Sequence, residues 1–433
     1  MMLSFKRFFL SRKTILALIL LILLSVVIGY IFPQRFATPP SELESWQESH
    51  SLWAPWVERL GLNHVYSTPW FAALLFVFLL SLGISTYEQI KISTKKTFGG
   101  IPAGGEGFRI IADENELISA IKMQGYFRAA KNEEGYRFVK HPWGYWGGVL
   151  LHLGIVVVIA SSLIIVLTEK RGLLHLLVGE IYLPGSQWLV EEDGILAGRF
   201  ILPEAVRLES VTPEFWETDD IKQLTTVISF IDPQGRFKKD LIAINQTVNY
   251  RGIRIYQGRS FGNAFFVEFI DRDGNRIDAI LQIQNPPRRD KAGYGNFQVG
   301  GIPYLLKAKY FADAEKNSMN SINPLLVMRL VDEEQVIGEI SLRKGESGAL
   351  GPYTVRLVDI ARWSGIIFVD ITGMPGIFLG FFIIILGGGL TYFMPPREFY
   401  LRKEEVGASI MWKATRFEDF YKEEYERIVA GIR

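Results

Sequence analysis

The chain contains no cysteine in its 433 residues. This absence excludes a thiol nucleophile, a disulfide framework, an iron–sulfur site and a Cys-x-x-Cys redox motif within the chain. An excess of either charge is also lacking, because 47 Lys and Arg residues balance 46 Asp and Glu residues. No phosphate-binding Gly-x-x-x-x-Gly-Lys-Ser/Thr motif occurs either. We therefore expect no nucleic-acid partner, no transport powered by this chain itself, and any thiol chemistry to reside in a partner protein.

Long apolar runs, in contrast, are present. The chain is 48% hydrophobic and 21% charged, which predicts membrane spans joined to a sizeable aqueous domain. The first of these runs, residues 14–31, follows a basic segment and therefore resembles a signal peptide. No clean cleavage site follows it, so we interpret it as a span. Four runs are long enough and sufficiently free of charge to cross a bilayer, namely residues 14–31, 69–86, 147–167 and 374–394.

The loop charges predict the orientation of these spans. The loop after the first span carries only Arg35 and Arg59, whereas the loop between the second and third spans is rich in Lys and Arg. Since cytoplasmic loops carry the excess of basic residues, we expect both termini inside and residues 168–373 outside. The basic residues of that second loop are Lys91, Lys95, Lys96, Arg109, Lys122, Arg128, Lys131, Arg137 and Lys140.

The long outer stretch has the pattern of β-strands. Three pairs of apolar-rich runs flank short turn sequences, and they predict hairpins in a mainly antiparallel β domain, either a sandwich or a barrel. None of the runs contains a recognisable catalytic pattern, so binding or scaffolding fits this domain better than hydrolysis. The predicted hairpins pair residues 224–231 with 236–244, 265–270 with 276–283, and 325–331 with 336–342.

The remaining segments predict smaller elements. We expect an amphipathic interfacial helix around residues 43–60, kinked at Pro55, a cytoplasmic helix over 113–130 with a strand at 136–139, and a docking helix in the tail at 408–432. The glycines of the last span, including Gly376 and Gly380, indicate close helix packing.

The predicted divisions are 1–32 (cytoplasmic N-terminus and span one), 33–68 (outer segment), 69–87 (span two), 88–143 (cytoplasmic subdomain), 144–168 (span three), 169–373 (outer β domain), 374–394 (span four) and 395–433 (cytoplasmic tail).

One residue in the third span requires an explanation. His152 is the only ionisable side chain in that span, and a buried imidazole needs a hydrogen-bond partner, a water-lined cavity or a metal ion. Counting back by fours gives Gly148 and Gly144, so the helix presents little side-chain bulk below the ring. That space suits another helix or a flat ligand such as a porphyrin. A histidine bonded to a neighbouring helix, or reaching the interface, is the structural alternative.

The other histidines are expected in loops or at interfaces. His50, His64, His141 and His175 lie outside the predicted spans. Solvation explains each of them more simply than ligation does. His64 and His175 are the reserve ligand candidates because both lie on the predicted outer side.

Four motifs follow one another along the chain. They are Gly61-Leu62 with Val65-Tyr66-Ser67-Thr68-Pro69-Trp70-Phe71, His152-Leu153, Asn249-Tyr250-Arg251-Gly252 running into Ile255-Tyr256-Gln257, and Met374-Pro375. In this order they resemble the ResB family of system II cytochrome c biogenesis proteins, and the resemblance covers nearly the whole chain. Family members often carry a cysteine near the end of span two, where this chain has Ser85-Thr86.

The resemblance implies that the chain works with a ResC-type (CcsA-type) membrane partner to carry haem outward for attachment to apocytochrome c. A thioredoxin-like protein would keep the apocytochrome thiols reduced. His152 would be an axial ligand of the haem iron, shared with the partner, with Gly148 and Gly144 leaving space. Arg137 and Lys140 could meet the haem propionates, although the positive-inside bias alone explains them. The expected location is a bacterial cytoplasmic membrane, or alternatively a thylakoid, in contact with membrane lipid.

Two other function classes remain open at this point. A membrane electron-transfer subunit that holds haem by itself would normally need two histidines within its spans, and this chain has one. An envelope assembly or transport scaffold would use the outer β domain for docking and leave His152 structural.

Overall fold

The computed structural model describes residues 2–101, 108–110, 113–333, 335–404 and 408–430. These residues form two compact units. The first, which we call the helical unit, comprises Met1–Ile28, Thr68–Val166 and Gly373–Arg433, and the second, the β unit, comprises Gly29–Ser67 and Leu167–Thr372. Each unit is therefore assembled from segments that are distant in the sequence.

The helices confirm the four predicted spans. Among the described residues, the helices at 12–31, 69–98, 147–168 and 374–393 are long and apolar enough to cross a membrane, so the length argument from the sequence holds. Most of each span's surface is not covered by the chain itself, which leaves it for lipid or a partner. The helices are α1 Met2–Phe9, α2 Arg12–Ile31, α3 Pro40–Ser49, α4 Ala54–Arg59, α5 Pro69–Phe98, α6 Glu114–Met123, α7 Gly147–Thr168, α8 Met374–Phe393 and α9 Glu418–Ala430, with 3₁₀ turns at Val65–Ser67 and Pro142–Trp146.

Glycines bring α7 and α8 together. A Cβ atom added to Gly154 would lie 2.7 Å from the Gly380 carbonyl oxygen, and one added to Gly387 would lie 2.8 Å from that of Gly147. Contacts this short leave no room for a side chain, so the two backbones approach closely. The predicted packing role of the span-four glycines is confirmed for Gly376, Gly380 and Gly387, whereas Gly388 and Gly389 face open space.

The strands carry the rest of the architecture. They are β1 Phe108–Ile110, β2 Phe127–Asn132, β3 Gly135–Lys140, β4 Lys170–Leu177, β5 Ile181–Tyr182, β6 Val190–Asp193, β7 Ala205–Phe215, β8 Ile221–Ile231, β9 Phe237–Ala243, β10 Val248–Tyr250, β11 Ile253–Ile270, β12 Arg276–Gln284, β13 Gly293–Gln298, β14 Leu305–Phe311, β15 Leu325–Asp332, β16 Gln335–Leu342, β17 Ser347–Leu350, β18 Tyr353–Asp370, β19 Arg397–Lys403 and β20 Ala408–Ala414.

The helical unit contains a five-stranded antiparallel sheet in the order β1-β20-β19-β3-β2. Two sequence predictions are wrong here. The helix expected over 113–130 ends at Met123, because Gly125 adopts a positive φ of 82°, and the chain then enters β2. The tail helix expected over 408–432 begins only at Glu418, because residues 408–414 alternate between buried and partly exposed positions and pair with β19. Residues 431 and 432 lie outside the described residues.

The β unit contains three antiparallel sheets. The central one has the order β10-β11-β18-β4-β6, with β12 added to β11 and β17 to β18, and it is flanked by the sheets β5-β7-β8-β9 and β13-β14-β15-β16. One apolar core is lined by strands of the central sheet and of β5–β9, and a second by the other half of the central sheet and β13–β16. The mainly antiparallel region predicted from the sequence is therefore present.

The three predicted hairpins are confirmed, as β8 with β9, β11 with β12, and β15 with β16. Glu334, in the third predicted turn, lies outside the described residues. The segment 43–60 is helical but divided, because α3 ends at Ser49 and α4 begins at Ala54 with Pro55 in its first turn. Leu52, Trp53 and Trp56 remain exposed around this break, as an interfacial segment requires.

Candidate functional sites

His152 lies in the second turn of α7 and its imidazole is half-buried. Neither ring nitrogen has a hydrogen-bond partner among the described residues, and Nδ1 is fully buried. A buried polar atom without a partner costs about 1–3 kcal/mol. No described residue therefore satisfies this imidazole, which lies in a helix long and apolar enough to span a membrane.

The two glycines below His152 have different surroundings. A Cβ atom on Gly148 would meet nothing within 4 Å, so the space one turn below the ring is open. Gly144 lies in the 3₁₀ turn before α7, where a Cβ atom would collide with the Met394 carbonyl oxygen and lie 2.8 Å from Pro396. Gly148 therefore leaves room for a ligand or another helix, whereas the space at Gly144 is filled by the chain that follows α8.

The helix geometry separates this open side from the α8 contact. Gly147 and Gly154 face α8, and the Leu151 backbone nitrogen lies 2.5 Å from a Cβ atom placed on Gly387. His152 is one residue further, about 100° around the helix axis. The imidazole is thus displaced from the side of α7 that α8 covers.

Two cations near the start of α7 are already paired. Arg137 is 3% exposed and donates to Glu398 at 2.9 Å and to the Gly99 carbonyl at 2.8 Å. Burial raises and the hydrogen bonds lower the pKa of the Glu398 carboxyl, with a net lowering. Lys140 pairs with Glu424 at 2.8 Å. These contacts give both cations a structural role in the five-stranded sheet.

The β unit contains a cavity of about 530 Å³ that the sequence did not single out. It is bounded by the loop residues before α3, by the turn that carries His64, and by strands β4, β6, β11 and β18. Its walls combine apolar and aromatic side chains with arginines. The lining residues used below are Arg35, Phe36, His64, Arg171, Glu192, Tyr256, Arg259, Ile367 and Val369.

A β-bulge shapes one wall of this cavity. The pairing of β11 with β18 shifts register between Gln257 and Phe261, and a bulge of this kind re-aims side chains. The bulge exposes Arg259 while Gly258 and Ser260 stay buried. The preceding motif Asn249–Gln257 forms a strand–turn–strand, with Arg251 and Gly252 at positive φ.

The other histidines have structural surroundings. His175, a reserve candidate, packs on Trp363 with ring centroids 4.5 Å apart, and burial lowers the pKa of His175 to about 4. His50 is exposed and stacks on Trp46. His141 precedes the 3₁₀ turn at a positive φ of 56°. Among the histidines outside the spans, His64 lines the cavity just described, and its type and its position before span two were the available signals.

Comparisons with known proteins agree with the motifs. The chain matches the model of the ResB-like family over residues 12–344. It is 24% identical over 404 residues to cytochrome c biogenesis protein CcsB of Synechococcus sp. strain JA-2-3B'a(2-13), covering 86% of this chain and 79% of the relative. It is 23% identical over 432 residues to CcsB of Trichormus variabilis, with 95% and 90% covered. It is 21% identical over 351 residues to cytochrome c biogenesis protein Ccs1 of the alga Pyropia yezoensis, with 78% and 74% covered.

Proposed function

Because this chain belongs to the ResB-like family, we propose that it handles haem in the membrane through His152, together with a CcsA-type partner, for delivery to apocytochrome c. The family and the names of its relatives give the role in cytochrome c biogenesis. Haem is the cargo in this proposal. The residues of this chain hold and orient it.

The unpartnered imidazole of His152 carries the proposal. Its ring nitrogens have no protein partner among the described residues, and Gly148 leaves open space one turn below. A neutral imidazole in an apolar setting is a common axial ligand of haem iron. These two observations fit the face of a porphyrin ring better than they fit a histidine that is bonded to its own bundle.

This chain would supply only one of the two axial ligands of the haem iron, which supports the proposal that a partner protein supplies the other. In the sequence, the third span supplies a single imidazole, and a second axial ligand would come from another chain. Two axial ligands restrain the iron and tune its reduction potential. Bound ferrous haem supplies vinyl groups that form thioether bonds with the two thiols of apocytochrome c. Since this chain has no cysteine, the thiols and their reductant, a thioredoxin-like protein, belong to partners.

The position of the β unit outside the membrane is part of the same proposal. The basic loop between α5 and α7 is expected in the cytoplasm, which places the residues after α7 on the other side, in the periplasm of a bacterium or the lumen of a thylakoid. The two cores lined by facing sheets favour a sandwich over a barrel. The exposed Leu52, Trp53 and Trp56 would rest at the outer membrane interface.

The absorption spectrum of the purified complex tests the proposal. We expect low-spin haem when this chain is co-expressed with its CcsA-type partner, and a nearly colourless preparation when it is expressed alone, because one imidazole holds haem weakly. Stoichiometric low-spin haem bound at His152 in the isolated chain would contradict a shared site. A colourless complex would favour the scaffold function instead.

Replacing His152 tests the residue itself. His152→Ala removes the ligand while keeping the span apolar, so we expect the chain to insert normally, haem content to fall and cytochrome c maturation to fail. Added imidazole should enter the space beside Gly148 and partly restore both. His50→Ala is the matched control, because His50 is exposed and outside the span. Full maturation in His152→Ala without imidazole removes this residue from the mechanism.

A further inference from the structure

Hydrogen bonds and buried neighbouring residues hold the turn that carries His64 in place. The His64 backbone nitrogen donates to the Gly61 carbonyl at 3.1 Å, and the Ser67 backbone nitrogen donates to the His64 carbonyl at 3.2 Å. The adjacent Asn63 and Val65 are almost fully buried, at 2% and 0% exposure. The ring is therefore held by a rigid backbone, as a ligand position requires.

A single hydrogen bond fixes the tautomer of this ring. His64 Nδ1 lies 2.7 Å from Asn63 Oδ1, and because that oxygen only accepts, Nδ1 carries the proton. Nε2 then keeps its lone pair, and it has no hydrogen-bond partner among the residues that the structure describes. Burial and the nearby Arg35 lower the pKa of His64, outweighing Glu58. A neutral imidazole with one nitrogen tied to an amide oxygen is the usual arrangement of a metal-ligating histidine.

The cavity beside this ring has the volume and the lining to suit an apolar molecule that carries carboxylates. Its volume of about 530 Å³ is in the range of cofactor-sized pockets, roughly 300–1,000 Å³. Phe36, Ile367 and Val369 supply apolar wall. Among the cavity-lining residues, three guanidinium groups face one carboxylate, Glu192, which already accepts a hydrogen bond from Ser67. The lining therefore supplies guanidinium N–H donors that a ligand carboxylate could use.

The three arginines differ in their availability. Arg35 pairs with Glu58 at 3.2 Å and Arg171 with Glu169 at 2.8 Å. A guanidinium has five N–H donors, so each pair leaves donors for a second carboxylate. Arg259 has no carboxylate partner within the described ranges, and the β11 bulge exposes it at the cavity wall. Arg259 is thus the first candidate for a ligand carboxylate.

We propose that this cavity is a second haem site, contained in the β unit, with His64 Nε2 as the iron ligand and Arg259 as a carboxylate partner. This deepens the proposed function and rests on it, since that function is what brings haem to the chain. The site would hold haem transiently after it leaves the membrane and before it reaches apocytochrome c.

The test uses the full-length chain with His152→Ala, which silences the membrane site, titrated with haem and separately with metal-free protoporphyrin. Even outer-shell partners of metal ligands are worth about 10- to 100-fold in affinity. Adding His64→Ala should therefore weaken haem binding by roughly tenfold or more and remove the iron–imidazole vibration from the Raman spectrum. Metal-free protoporphyrin should bind nearly as before, because it uses only the walls and the arginines.

Two further variants complete the design. Arg259→Gln should weaken the binding of both porphyrins, because it removes a carboxylate partner, and His50→Ala should change neither. His64→Met keeps an iron ligand of different chemistry, so it should retain haem with an altered spectrum. Continued binding of metal-free protoporphyrin also shows that the cavity of a variant is folded.

Each outcome decides the proposal. Selective loss of haem in His64→Ala supports it. Unchanged haem binding in that variant overturns it, as does an equal loss of both porphyrins that His64→Met does not repair. These results are independent of the membrane site, because failure of the proposed function would show as normal maturation in a chain with His152→Ala alone.

Discussion

His152 and His64 are half-buried imidazoles in different units, and their surroundings contrast. His152 has no polar neighbour that holds either nitrogen among the described residues, and its helix offers only open space at Gly148. His64 has a fixed tautomer, a braced turn and a cavity with arginines. In our proposals, the membrane site is therefore completed by another protein, whereas the cavity in the β unit holds the components of a site within one chain.

His175 provides a third case that separates burial from function. Its ring is more buried than the other two and packs on Trp363. Its Nε2 is also buried without a hydrogen-bond partner among the described residues. What distinguishes His152 and His64 is adjacent space of ligand size or shape.

The largest expected effect concerns which side of the membrane each site faces. Reporter fusions at Gly185 and Gly274, in the β unit, should read as external, and a fusion at Arg433 should read as cytoplasmic, because the basic loops fix the orientation. This result is all-or-none for each fusion. A cytoplasmic reading at Gly274 would place His64 on the side where haem is made and reverse the comparison.

The second effect concerns the open space beside His152. Gly148→Leu should leave α7 helical, since leucine has the higher helix propensity by about 1 kcal/mol and nothing lies within 4 Å. It should nevertheless lower the haem content of the complex several-fold, because the side chain occupies the ligand space. Haem absorbance per mole of complex measures this.

The matched control for that variant is Gly388→Leu on α8, where a Cβ atom also meets nothing within 4 Å. It should keep full haem content. A second comparison is Gly380→Leu, which should disrupt the α7–α8 contact and lower the yield of folded protein. Equal haem content in the Gly148 and Gly388 variants would show that the space at Gly148 is not used.

The smallest effect is a pH dependence of stability from His175. Burial lowers the pKa of His175 from 6.5 to about 4, so the unfolded chain binds a proton in this interval that the folded chain does not. The free energy of unfolding is therefore unaffected by His175 above pH 6.5. It decreases as the pH falls toward 4, by up to about 3 kcal/mol, because the unfolded chain takes up a proton there. His175→Phe should remove this slope without changing haem binding.

Amide hydrogen exchange in β4 and β18 of the full-length protein, followed between pH 7 and 4, measures this slope. The exchange free energy of the wild type should decrease more steeply with falling pH than that of the variant. Parallel curves would mean that the folded state accommodates a charged His175.

Local pattern was sufficient for several parts of this fold. The four spans follow from the length of apolar runs, and the β8–β9, β11–β12 and β15–β16 hairpins follow from alternating runs around short turns. The tail was predicted incorrectly, because residues 408–414 carry both helical and strand-like signals and pairing with β19 decides between them. The helix over 113–130 was predicted too long because the stop at Gly125 was not recognised.

The sequence alone therefore determined the membrane spans, the hairpins and the isolated imidazole of His152, because each depends on residues close together in the chain. Tertiary structure decided which glycine leaves space, since only packing separates the open Gly148 from the filled Gly144. It also decided the His64 cavity, whose walls come from residues 34–37, 63–66, 171, 192, 256–259 and 367–371. No local periodicity encodes such a set, because its members meet only when distant strands pair.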